Sequence, residues 1–191
     1  MAAAFVDLAE MKVYAGVTST GSDDILQSLL DASTPALEAY CNRKLAFDQF
    51  TDYLSGTGKT SITLANYPLA DVSSLVVDGQ TISRAVGRGD GYYFPPGGRR
   101  LFLRGRVFSQ GVANVAVTYT AGYDLAPDDL KLAVKTWVQA RFKERTRIGE
   151  ASKTLAGESI TFNNWQSGDG MPSAAKAILK NYMNFVPMSG T

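Results

Sequence analysis

"YLSGTGKTSITL" (Tyr53–Leu64) sets Gly58-Lys59-Thr60 behind a second glycine, Gly56, and two folds compete for it. A phosphate-binding loop needs a glycine five residues before the Gly-Lys pair and a helix running on from the threonine. Position 53 is a tyrosine, and Ser61-Ile62-Thr63-Leu64 alternates polar with apolar, β-branched residues, as a strand does. The stretch therefore predicts two strands joined by a flexible glycine turn. It also turns the reading of the chain away from a nucleotide-dependent enzyme and toward an antiparallel sheet.

That texture continues on both sides. From about residue 50 to 120 the chain is a series of short alternating runs, with Asp78-Gly79 between Leu75-Val76-Val77 and Gln80-Thr81-Ile82 as a two-residue hairpin signal. Helical periodicity flanks this β insertion. A short helix is predicted over 7–16, closed by Gly16, and a longer one over 23–41, capped by Ser22, with Asp23 and Asp24 in its first turn. A third is predicted over 127–148, with Pro127 at its start, Gly149 at its end and a stripe of Leu130, Ala133, Val134, Trp137, Val138 and Phe142. These elements form a core over 1–149. Residues 150–191 read as a polar arm that ends in a short helix with Ala175, Ile178, Leu179 and Tyr182 on one face, suited to docking on a neighbour or to folding back on its own core. The fold class is α+β: a small helical bundle with an inserted antiparallel β-layer of hairpins and a C-terminal arm.

Composition narrows the chemistry. The 191 residues suffice for one core, or one core with an arm, and contain no apolar run of the length a membrane span needs. The acidic residues near the start are not those of a secretory signal, so a cytoplasm-like setting is expected. With no histidine and a single cysteine, Cys41, the common zinc sites, internal disulfides and His-assisted nucleophiles are unavailable. No cofactor, metal or catalytic residue is assigned. Asp23-Asp24 and Asp128-Asp129 are helix starts, because adjacent helical residues diverge by about 100° and do not converge on one ion.

Charge is unevenly distributed. Residues 1–78 hold four basic and ten acidic side chains, whereas residues 79–110 hold six arginines and only Asp90. Arg99, Arg100, Arg104 and Arg106 in that island are candidates to meet DNA phosphates or an acidic protein surface. The alternative is a solvated strand edge whose charges oppose aggregation.

Three strings, in this order, carry a resemblance: "DDILQSLLDASTPALEAYCNRKL" (23–45), "LANYPLADVSSLVVDG" (64–79) and "VAVTYTAGYDLAPDDLKLAVKTWVQARFKER" (115–145). Together they resemble the head–tail connector, or adaptor, family of long-tailed bacteriophages and prophages, over roughly residues 8–148. The resemblance implies a structural virion protein made in the host cytoplasm. Copies, twelve in number, would form a homo-oligomeric ring beneath the portal protein, extend the DNA channel and receive a tail-completion or stopper protein, with contact to packaged DNA. On that footing Trp165, Ile178, Leu179 and Tyr182 are the candidates for docking to the portal. A DNA-binding or DNA-packaging accessory protein is the alternative.

Overall fold

The computed structural model describes residues 5–145, 152–155, 158–161 and 170–184. The chain divides into two compact units: a helical unit from the two ends of the sequence, 1–42 with 125–191, and a β unit, 43–124.

In the helical unit, α1 spans Leu8–Ala15. Asp7 caps it by accepting the Glu10 amide at 2.7 Å, and Gly16 ends it at φ +68°, a conformation that favours a residue without Cβ. α2 spans Asp23–Cys41 and continues through Pro35, burying Leu26, Leu30, Leu37 and Cys41. Ser22 stands at its start but makes no side-chain capping bond; its hydroxyl instead accepts from Arg145 at 3.5 Å. α3, Asp128–Glu144, buries Leu130, Ala133, Val134, Trp137 and Val138 of the stripe that its sequence period predicts, while Phe142, the last of that stripe, is only half-buried, with the Arg145 guanidinium 3.7 Å from its ring centroid. Lys135 of α3 pairs with Glu10 of α1 at 2.6 Å, and Lys12 of α1 with Asp23 of α2 at the same distance. Near the C-terminus, α4 (Ser173–Leu179) and the 3-10 turn Lys180–Tyr182 follow, and α4 packs on both α2 and α3.

The β unit contains two antiparallel sheets. The first is ordered β1–β7–β3–β4, from Asp48–Gly56, Gly111–Ala121, Leu69–Val77 and Gln80–Thr81. The second is ordered β2–β6–β5, from Ser61–Thr63, Arg100–Arg104 and Gly91–Tyr93. Leu75, Val117 and Tyr119 of the first sheet and Leu101, Leu103 and Tyr92 of the second share one buried cluster. Tyr92 ties the sheets together, its hydroxyl donating to the Val72 carbonyl at 2.8 Å. Burial pushes that hydroxyl's pKa up, so the donor stays protonated.

Asp78 and Gly79 both take positive φ and join β3 to β4 as the sequence predicts. The loop read at 53–64 is corrected. Its flanks are strands, but they do not pair with each other: β1 pairs with β7 and β2 with β6. The register of β1 on β7 slips between Leu54 and Gly56, and Gly56 lies so close to Ser109 that a Cβ would overlap its carbonyl oxygen. The bend at this close approach carries the chain from one sheet into the other. A further hairpin, β8 (Ser152–Leu155) with β9 (Glu158–Thr161), lies in the arm where the sequence reading placed no strand.

Candidate interaction site

The sequence of β6, Arg-Leu-Phe-Leu-Arg, alternates as a half-buried strand should. Leu101 and Leu103 enter the core, so Arg100, Phe102 and Arg104 stand on the opposite, outer face. Register on β5 places Tyr93 directly across from Phe102, and the two rings stack with centroids 5.2 Å apart and planes 16° from parallel. Tyr93 remains 40% exposed while its neighbour Tyr92 is buried.

Cations surround this aromatic pair. Arg104 lies over the Tyr93 ring at 4.9 Å and donates to the Gly87 carbonyl at 2.7 Å, which brings the turn carrying Arg88 beside it. Arg100 projects from the start of the strand into solvent. Arg106 is exposed beyond Gly105, whose φ is +76° and against which the Asp90 carboxylate packs. The Lys59 loop reaches the same end of β6: Thr60 accepts from the Leu103 amide at 2.8 Å and Lys59 from the Phe108 amide at 2.9 Å. Lys59 therefore belongs to a loop held against β6 and followed by strand β2, with no helix to face a phosphate.

Of the four arginines singled out in the sequence, the structure brings Arg100 and Arg104 onto one face, with Arg106 past its end. Arg99 turns away: it is half-buried, with its guanidinium 5.0 Å over the Tyr67 ring. Tyr67 also receives Arg43, whose guanidinium lies 3.5 Å from the ring centroid and donates to the Tyr67 carbonyl. Sequence reasoning missed Phe102 and Tyr93. The alternation of β6 puts Phe102 with the arginines, but Tyr93 joins it only through the β5–β6 register.

The arm residues divide differently. Trp165 lies outside the described residues. Ile178 is half-buried, whereas Leu179 is fully buried and Tyr182 is 7% exposed, donating to Asp129 of α3 at 2.6 Å. Leu179 and Tyr182 thus pack within the helical unit. Among the described residues, no cluster of three or more carboxylate or thiol side chains is placed to hold a metal ion, and no helix is long and apolar enough to cross a membrane.

Comparison with protein families matches the head completion protein model over residues 4–185. The chain belongs to the head completion protein family. This bears out the connector resemblance carried by the three strings in the sequence. A comparison with curated protein sequences gives no match. Solved structures that share the fold include a chain from the neck of an empty gene transfer agent (GTA) particle computed with C6 symmetry, with a TM-score of 0.60 and 20% identity; the alignment covers 100% of this chain and 96% of that one. A chain from the neck of a native GTA particle computed with C12 symmetry aligns with a TM-score of 0.59 and 19% identity, covering 96% and 91%. A chain from the virion of a native GTA particle aligns with a TM-score of 0.58 and 21% identity, covering 97% and 92%.

Proposed function

We propose that this head completion protein is a structural subunit of the virion neck. Copies assemble as a ring of twelve beneath the portal, join the DNA-filled head to the tail, extend the DNA channel and present a platform to a tail-completion or stopper protein. The observation that carries this reading is the family match over 4–185. Likeness of fold to chains from particle necks with C6 and C12 symmetry supports a ring. In this reading the chain works by binding and not by catalysis. Its arginine face is one contact surface, and the arm, through Trp165 and Ile178, is the other, directed at the portal.

The test is sedimentation of the purified protein with cognate portal rings or with DNA-filled, tailless heads. The expected result is saturation at about one copy per portal subunit, and Trp165→Ala with Ile178→Ser is expected to weaken it. Absence of binding overturns the reading. The outward arginines favour a DNA-packaging accessory role as the second reading, which requires salt-sensitive DNA binding by the isolated protein.

A further inference from the structure

Resting on the ring reading, we propose that the outer face of β6, Arg100-Phe102-Arg104 with Tyr93, docks on the exposed acidic face of α2 in a second copy of this chain. The contact is heterologous, so repeating it by rotation closes a ring.

The acceptor is legible in the helical unit. Residues 1–42 hold six acidic side chains and one lysine. Lys12 pairs with Asp23, and Glu10 pairs with Lys135. Asp24 and Asp31 remain exposed, with no ion pair among the described residues; Asp31 accepts only from the neutral Gln27 amide, at 2.9 Å. Seven residues apart, they lie on one side of the helix, separated by about 10 Å along its axis. Ser28 stands between them, with Ile25, 44% exposed, and Ala32 alongside.

The donor face has the matching layout. Arg100 and Arg104 are four strand residues apart, about 13 Å, with Phe102 between them. Two long guanidinium arms can close a difference of about 3 Å onto the two carboxylates while the stacked rings cover Ile25 and Ala32. Aromatic residues and arginine are the types enriched at the centres of protein interfaces. A DNA duplex would take the two cations but leave Phe102 and Tyr93 in water, which is why a protein surface fits this face better.

Charge reversal in the full-length protein tests the pairing. The variants are R100E/R104E, D24R/D31R and the fourfold swap; Arg100, Asp24 and Asp31 are exposed and Arg104 is half-buried, so folding is checked by circular dichroism. Self-association is read by sedimentation velocity over a concentration series at two salt concentrations. Each double variant is expected to associate at least about tenfold more weakly than the wild type, the lower range for close interfacial charge pairs. The fourfold swap, and an equimolar mixture of the two double variants, are expected to recover it. Wild-type association is expected to weaken as salt rises.

Wild-type rings that ignore both reversals would overturn the inference and leave the ring reading standing. Loss of salt-sensitive DNA binding in R100E/R104E, with assembly unchanged, would assign the face to nucleic acid and overturn it too. A wild-type protein that stays monomeric throughout also overturns it, and the ring reading then rests on the portal-binding measurement alone.

Discussion

Replacing Tyr182 by phenylalanine removes one hydroxyl and little else. That hydroxyl donates to Asp129 at 2.6 Å and joins the C-terminal turn to α3. Hydrogen bonds to charged groups contribute about 1.5–3 kcal/mol. Asp129 is exposed and regains water when the donor is lost, so the expected cost is reduced to about 1 kcal/mol. Tyr182→Ala also removes a ring that is 7% exposed, which raises the cost to about 3 kcal/mol or more. The assay is native-state hydrogen exchange. Amides of α4 are expected to lose about fivefold protection in Tyr182→Phe, the equivalent of 1 kcal/mol, while amides of β7 keep theirs. Unchanged α4 protection in Tyr182→Ala would refute the packing of this helix within the helical unit and return Tyr182 to the list of docking residues.

Three further outcomes follow from the β unit. Burial first, and then its 2.6 Å bond to Asp52, hold the Tyr119 hydroxyl well above the usual tyrosine range. The folded state thus retains this proton longer than the unfolded chain, and stability is expected to fall as pH rises above about 10; Tyr119→Phe should flatten that alkaline loss in urea titrations. Gly56→Ala is expected to cost more than about 2 kcal/mol, since the new methyl meets backbone at Ser109, and a wild-type denaturation midpoint would contradict the close approach. Asn114→Ala frees the Gly56 amide, which it binds at 2.9 Å, and the Ser109 carbonyl, also at 2.9 Å; a loss of about 1–2 kcal/mol by chemical denaturation is expected.

What the sequence made legible was local. Ser22-Asp23-Asp24 ahead of an apolar period marked the start of α2, and positive-φ formers at Asp78-Gly79 marked a hairpin, because both signals act within a few residues. Strand partnership was not legible. Asp48 pairs with Ala121, and the choice of β7 over β2 as the partner of β1 depends on core packing across the whole unit. A glycine-bearing loop looks the same whether it closes a hairpin or crosses between sheets, and strand pairing together with the crowding of Gly56 against Ser109 separates the two. At the candidate site the arginines were readable as a charge excess, but which of them share a face was set by strand alternation and register. Arg99 and Arg100 are neighbours in sequence, yet one stacks on Tyr67 and the other faces water. For Tyr182 the sequence left docking and folding back both open, because its partner Asp129 is 53 residues away.

The two ends of the β unit lie side by side. Tyr123 donates its amide to the Leu45 carbonyl at 2.8 Å, Ala46 bridges Tyr123 in parallel, and Arg43 lies 3.5 Å from the ring centroid of Tyr67 and 5.9 Å from that of Tyr123. Mechanically, this is a clamp across the neck of a loop. Tension applied across the two ends of the unit, residues 43 and 124, is borne by the clamp before it reaches any strand of either sheet, so the first rupture in a pulling experiment should be small and should leave both sheets intact. The same clamp makes residues 43–124 a cassette whose ends are already joined.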